Sequence, residues 1–412
     1  MKVYLVGGAV RDSLLNLPIK DRDWVIVGGT KEILLKKNFQ QVGKDFPVFL
    51  HPETHEEYSL ARKERKSGRG YTGFHTEFSS DVTLEEDLIR RDLTINAIAQ
   101  DENGNYIDPF QGRKDLNLRL LRHVSESFTE DPLRILRTAR FAANLMHLGF
   151  HIDKDTMILM CKMVKKNELL YLTKNRIWNE TEKAFKTLNP HVYFQILHAC
   201  KALNFIFPEI FFLYERRTFF SILFTNFYSI SFLSIGLSKI STLTKDVSIR
   251  FSYLCQFLSE KIDFSSTKEN YDDDSAKLVK KLCKRCNIPS HIEELAVLNT
   301  GFCVFLSSIH YQSSSNIIKM FSKIDAWRKP DRIYKLSFLC DFNLFYHQNK
   351  IDNSKLKTGF LKKCFFIIKD ISVKKILNQG FKGYQIKNEL NKLRVNKLKF
   401  WRMKKKCFFF KE

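Results

Sequence analysis

The chain has 412 residues, enough for two to four domains of ordinary size with a substantial core, which excludes a single small module. With 44% hydrophobic and 27% charged residues it is neither a disordered nor a collagen-like chain. Sixty-eight Lys and Arg against 45 Asp and Glu give a formal charge of +23, which draws polyanions, RNA or DNA first among them. Lys, Phe, Ile and Asn all have A/T-rich codons, so base-composition drift explains part of this surplus and of the 37 Phe.

The first elements are short and apolar. Residues 3–6 (Val-Tyr-Leu-Val) and 24–27 (Trp-Val-Ile-Val) are bounded by Gly or Asp and read as buried strands, with a helix over Ala9–Asn16 between them. The first 140 residues therefore read as α/β. From Asp131 to about Phe211 apolar residues recur at helical spacing, broken at Asn189-Pro190 and Phe207-Pro208, and the remainder reads as mostly helical. The expected class is α+β. Lys63–Tyr71 is the clearest flexible segment. Arg11 and Asp12 interrupt the amino terminus too early for a secretory signal. Thr218–Ser238 is uncharged and long enough to span a bilayer, but its five serines, Thr225 and Asn226 make it a buried polar helix pair. No membrane partner is expected. The nine cysteines begin at Cys161 and form no disulfide framework, and the lone Cys283-Lys-Arg-Cys286 lacks a second pair for zinc, so reduced thiols and a cytoplasmic location are expected. Residues 351–412 hold 16 Lys and 2 Arg against 4 acids. Two readings of them stand: a solvated basic tail, or a surface for a phosphate backbone.

Four strings carry chemistry. Gly7-Gly8-Ala9-Val10-Arg11-Asp12 joins strand to helix, where glycines let a ligand approach the backbone and Arg11 adds a cation; alone, it is equally a plain tight turn. Asp21-Arg22-Asp23 opens the second strand, and alternation puts both carboxylates on one face, close enough to share Mg²⁺. A polar strand entry neutralised by Lys20 and Arg22 is the rival reading. Arg90 to Ala99 reads as a helix with adjacent arginines at one end, suited to phosphates or to an ordinary salt bridge with Glu86 and Asp87. Glu130-Asp131-Pro132 starts another helix, with Asp131 as N-cap and Pro132 at the first position, followed by Arg134, Arg137 and Arg140 on a broad face.

A Gly-Gly turn followed by Asp-x-Asp on a strand resembles the nucleotidyltransferase core of the polymerase-beta superfamily. There a third carboxylate comes from a neighbouring strand; Glu57 is the candidate, with Glu56 a near competitor. Together, Gly-Gly-Ala-Val-Arg-Asp, Asp-Arg-Asp-Trp, Arg-Arg-Asp-Leu-Thr-Ile-Asn-Ala and Glu-Asp-Pro-Leu-Arg-x-Leu-Arg-x-x-Arg-Phe-Ala resemble the ordered motifs of the class II tRNA CCA-adding enzymes. The longer, gamma-proteobacterial members are the nearest in pattern, through His51-Pro-x-Thr-His-Glu-Glu-Tyr and Ile324-Asp-Ala-Trp-Arg-Lys-Pro, and the similarity fades after residue 211.

The resemblance implies a nucleotidyltransferase head (1–140), a helical neck (141–210), an HD-like helical body (211–350) and a basic helical tail (351–412). It implies template-independent addition of C, C and A to tRNA from CTP and ATP, with Mg²⁺ as cofactor. Gly8 and Arg11 would contact the triphosphate, Asp21 and Asp23 would hold Mg²⁺ with Glu57 beside them, and Arg91, Arg137 and Arg140 would grip triphosphate or ribose. Asp131 and Arg134 would read the incoming base, because a carboxylate accepts from the exocyclic amine of C or A while a guanidinium donates to ring acceptors. Lys63–Tyr71 would be the mobile loop that helps switch from C to A. The long members carry a metal-dependent HD phosphohydrolase whose His-Asp pair follows a Cys; here the stretch reads Cys255-Gln256-Phe257, which cannot replace those ligands, so that activity is expected to be lost. A bacterial poly(A) polymerase shares the core and is the nearest alternative; a silent tRNA-binding protein is the other, and the intact Asp21/Asp23 pair speaks against it. The oligomeric state stays open.

Overall fold

Tyr4, Leu5 and Val6 continue a β-prone run that forms β1 (Lys2–Val6). It is followed by α1 (Gly8–Leu14), β2 (Asp23–Val27), α2 (Lys31–Lys36), β3 (Gln40–Val42), β4 (Val48–Leu50) and β5 (Glu57–Leu60). Next come the paired strands β6 (Lys63–Lys66) and β7 (Phe74–Glu77), then α3 (Leu84–Ile89), β8 (Ala99–Gln100), β9 (Tyr106–Ile107) and α4 (Gly112–Leu118). In this computed structural model the described residues are 1–42, 48–66, 74–77, 79–215, 232–258, 272–347 and 359–409. Contacts divide the chain into two units, Met1–Glu215 and Arg216–Glu412.

In the first unit seven strands form one mixed sheet in the order β3-β4-β5-β2-β1-β8-β9. β1 runs antiparallel to β2, with Val6 opposite Asp23, and β2 runs parallel to β5, with Asp23 opposite Glu57. Alternation sends Val6 and Val25 into a core with Leu88, Ala97 and Ala99 on one face, and Ile26 into a core with Leu34 and Phe49 on the other. Asp23 and Glu57 share the face of Val6 and Val25.

The helix expected over residues 90–99 does not form. α3 stops before Arg90, Leu93 is extended, Thr94–Asn96 makes one 3₁₀ turn, and Ala99 pairs with Val6. Asp92 explains the break: its Oδ1 accepts the Leu93 N–H and the Asn96 Nδ2, each at 2.9 Å, so a local side-chain network replaces the helical ladder. The open edge of β1 then takes up the following residues.

Beyond the sheet lie α5 (Leu133–Leu145), α6 (Lys154–Lys165), α7 (Lys174–Phe185) and α8 (Pro190–Ala199), with α5 packed on α7 and α8. α5 begins one residue later than the sequence suggests, at Leu133, although Asp131 still caps it by accepting the Leu133 N–H at 3.0 Å. Residue 140, the expected end of the head, lies inside α5. Of Lys63–Tyr71, residues 63–66 are a β-strand rather than a loop, and 67–71 fall outside the described residues.

The described residues of the second unit are helical, with long segments at Val247–Cys255, Asp273–Cys286, Ser290–Gly301, Asp331–His347 and Tyr384–Phe409. Arg250 is fully buried and donates to the Ser241 and Thr244 carbonyls at the end of the Phe232–Leu243 helix, where a cation suits the helix dipole. Residues 218–231 of the uncharged stretch lie outside the described set. Among the described residues no helix is long and apolar enough to cross a membrane. Cys283 and Cys286 are buried free thiols, and among the described residues no three His, Cys, Asp or Glu side chains form a metal cluster.

Candidate active site

One cleft of about 1070 Å³ in the first unit is lined by all ten residues singled out in the sequence: Gly8, Arg11, Asp21, Asp23, Glu57, Arg91, Asp131, Arg134, Arg137 and Arg140. Its floor is the end of β1 and the start of β2. Gly7, at φ +71°, turns the chain between β1 and α1, and a Cβ there would sit 3.1 Å from the Arg91 guanidinium. Glycine thus keeps the turn unstrained and leaves Arg91 its place.

Arg11 is buried at 5% exposure, donating to Asn96 Oδ1 at 2.7 Å and Asp12 Oδ1 at 2.8 Å, and its guanidinium lies 5.1 Å from the centre of the Phe141 ring. Asp21 lies in the segment just before β2 rather than in the strand itself, and Asp23 is the first strand residue. Neither makes an ion pair among the described residues. Partial withdrawal from water pushes the Asp23 carboxyl above the usual aspartate range; Arg91 opposes this, Asp21 adds to it, and Arg137 opposes it.

Strand parity separates the two glutamates. Glu57 stands beside Asp23 and lines the cleft. Glu56 accepts from the Trp24 indole N–H at 2.8 Å and from Arg22 at 3.5 Å, on the side where Trp24 stacks on Tyr58.

A basic wall faces these acids, and buried carboxylates hold it in place. Asp87, fully buried, binds both Arg90 and Arg91. Burial alone would raise its carboxyl, yet the two guanidiniums bring it below the ordinary range. Asp92 likewise is pushed up by burial but held far down by Arg137, whose Nε lies 2.6 Å from Oδ2. Arg140 pairs with Glu180 on α7 and packs over Phe141. Arg134 donates to the carbonyls of Ser127, at 2.6 Å, and Arg90. Asp131 accepts from Arg176 on α7 at 2.7 Å.

The salt bridge that the sequence offers between Arg90/Arg91 and a nearby acid forms with Asp87, which precedes them by three and four positions, where helical neighbours meet. The sequence reading missed Asp92, Asn96, Arg176 and Glu180 as supports of the site. The Arg176–Glu180 spacing on α7 had the same form.

Residues 3–122 match the family model described as the poly A polymerase head domain, and residues 149–213 match that of the probable RNA and SrmB-binding site of polymerase A. A protein named CCA-adding enzyme from Buchnera aphidicola subsp. Acyrthosiphon pisum (strain Tuc7) is 66% identical over 407 residues, covering 98% of each chain. Its namesake from Buchnera aphidicola subsp. Baizongia pistaciae is 52% identical over 420 residues, covering 99% of this chain and 100% of that one. Among solved structures, an apo form of a CCA-adding enzyme superposes with a TM-score of 0.65 at 21% identity over 96% of this chain and 88% of the other. The Thermotoga maritima CCA-adding enzyme complexed with tRNA does so with a TM-score of 0.62 at 21% identity, over 96% and 87%. A head sheet presenting paired aspartates to an arginine wall, and near-full-length identity to these relatives, place the chain in the class II CCA-adding enzyme family.

Proposed function

We propose that the chain adds C, C and A to the 3′ end of tRNA, using CTP and ATP and releasing pyrophosphate. The observation that carries this reading is the single cleft that joins the Asp21/Asp23 pair, the arginine wall and the Asp131/Arg134 pair. Relatives named for CCA addition support it.

Asp21 and Asp23 fit a divalent cation: both are carboxylates, both face the cleft, and neither is spent on a cationic side chain among the described residues. Mg²⁺ suits such a pair because it ordinarily uses one or two carboxylates, with substrate phosphates and water completing its shell. Two ions bound there would ease deprotonation of the attacking 3′-hydroxyl and neutralise the triphosphate. Glu57, in register beside Asp23, is the third carboxylate of the reading; it does not close a metal cluster with the two aspartates, which alone are assigned to the ion.

The remaining work falls to the chain's own side chains. Arg91, Arg137 and Arg140 hold the triphosphate and ribose opposite the aspartates, and their buried acid partners keep each guanidinium oriented before the nucleotide arrives. Gly8 leaves space at the turn and Arg11 backs it. Asp131 accepts the exocyclic amine of C or A, and the Arg134 guanidinium donates to the ring acceptors of the base. U and G present a carbonyl where C and A present the amine, so the Asp131 carboxylate repels them. The tRNA is held by shape and backbone along the helical, basic carboxyl half. We assign residues 1–140 as head, 141–210 as neck, 211–350 as body and 351–412 as tail, and place the protein in the cytoplasm, in keeping with its free thiols.

The test is to incubate the protein and Mg²⁺ with tRNA lacking its CCA end, giving CTP, ATP or both, beside an Asp21→Ala/Asp23→Ala control. Two added residues with CTP and three with both, absent in the control, are expected. Long tails with ATP alone would mean a poly(A) polymerase. No extension despite tRNA binding would mean a silent binder.

A further inference from the structure

Three side-chain amides from three separate helical segments meet in the second unit. Gln256 lies in the turn that follows the Val247–Cys255 helix, Asn299 on Ser290–Gly301 and Asn343 on Asp331–His347. Gln256 is 2% exposed and Asn299 is 1% exposed. Gln256 and Asn343 exchange hydrogen bonds in both directions: Asn343 Nδ2 donates to Gln256 Oε1 at 2.8 Å, and Gln256 Nε2 donates to Asn343 Oδ1 at 3.0 Å. Asn299 Nδ2 donates to the same Gln256 Oε1 at 3.2 Å and to the Ser252 carbonyl at 3.1 Å.

This is the stretch at which resemblance to the long family members implies a divalent-metal phosphohydrolase centre. The donor set does not fit one. Such ions are held by carboxylates and imidazoles, whereas these three groups are neutral. The Gln256 oxygen already accepts two N–H bonds and the Asn343 oxygen accepts a third. An ion placed here would break this network and leave its charge buried without a counter-charge.

We propose that Gln256, Asn299 and Asn343 form a metal-free clamp that fixes the register of three helices, and that no phosphomonoester or cyclic phosphodiester is hydrolysed there. Hydrogen bonding inside a low-dielectric core is strong when every partner is present and costly when one is removed. The partners stand 43 and 87 positions from Gln256, so the clamp ties together parts of the chain that local helix formation leaves independent.

The test uses the full chain carrying Asp21→Ala/Asp23→Ala, so that the head site contributes no metal response. Thermal unfolding is followed with and without Mg²⁺, Mn²⁺ or Ni²⁺ alone, and hydrolysis of 2′,3′-cyclic AMP is assayed with each ion. No ion-dependent rise in Tm and no hydrolysis are expected. A rise in Tm or a turnover that Gln256→Leu abolishes would overturn the metal-free assignment. Gln256→Leu and Asn343→Leu should each lower Tm by about 5 °C, and the double variant by clearly less than the two together, because the second removal finds its partner already gone. Additive losses would overturn the clamp. Where a leucine variant fails to fold, Gln256→Glu or Asn343→Asp, each of which keeps the shape but loses the amide donor to the other residue, replaces the leucine variant at its own position in the cycle.

Discussion

Arg176 on α7 holds the Asp131 carboxylate at the mouth of α5, with Nη2 2.7 Å from Oδ2, while the other carboxylate oxygen accepts the Leu133 N–H at 3.0 Å. Both oxygens are thus fixed before any base arrives. Arg176→Ala should leave the fold intact, raise KM for CTP and ATP roughly tenfold, and increase incorporation of UTP, because a freed carboxylate no longer keeps one orientation. Arg176→Lys should restore part of the selectivity. Steady-state kinetics with each nucleotide check this, and unchanged discrimination in the alanine variant would remove Arg176 from base reading.

Asp21→Ala/Asp23→Ala should abolish nucleotide addition, by about a thousandfold or more, yet leave tRNA affinity within about twofold. A filter-binding or gel-shift titration beside the extension assay separates the two effects.

The two glutamates should behave differently. Glu57→Gln removes a charge beside Asp23 and should slow addition by about tenfold with little change in Tm. Glu56→Gln weakens the hydrogen bond from Trp24 and should cost about 1 kcal/mol of stability while addition stays near wild type. Parallel melting and rate measurements read both, and the reverse pattern would exchange their roles.

Asp92 is ionised and paired with Arg137 inside the cleft wall, and its carboxyl is held far below the ordinary range. The pair therefore stabilises the fold at neutral pH, and that contribution is lost as pH falls below about 3.9, the unfolded aspartate value. Asp92→Asn should destabilise by about 2 kcal/mol at pH 7, a figure reduced from that for a fully buried pair because the Arg137 side chain is 37% exposed. It should also flatten the loss of Tm between about pH 4 and 2.

His191 titrates in the opposite sense. Burial pulls it down to about 4, and among the described residues its Nδ1 makes no hydrogen bond. Below about pH 6.5 the unfolded chain takes up a proton that the folded chain refuses, so stability falls until about pH 4. His191→Leu should remove about 2 kcal/mol of the loss between pH 7 and 5. Denaturant titrations at the two pH values measure it.

The structure brings the expected site residues to one cleft, and the sequence could point to them because they fall in four ordered strings that together resemble one family, although each string alone also had a plain structural reading. The paired aspartates, the Gly7-Gly8 turn and the three α5 arginines are of this kind. What tethers them was not legible: Asp131 finds Arg176 45 residues away, Arg140 finds Glu180 at 40 and Arg137 finds Asp92 at 45. The fold was misread at 90–99 for a related reason. Apolar spacing there suggests a helix, but Asp92 rewires the local backbone, and the strand that follows exists only because β1, more than ninety residues earlier, leaves an edge open. The choice between Glu56 and Glu57 was open to strand parity, once the pairing of β5 with β2 was known.

The position of β1 also governs how the first unit is assembled. It is the earliest strand of the sheet to be made, yet it lies inside it, between β2 and β8. β2 covers one edge within the first thirty residues; the other stays unpaired until Ala99 and Gln100 have left the ribosome. Throughout that interval a nascent chain presents an apolar strand edge, the kind of surface that chaperones bind and that aggregates recruit. The floor of the cleft is therefore exposed to misassembly during synthesis, and slowing translation between codons 30 and 100 should lower the soluble yield more than slowing it after codon 215.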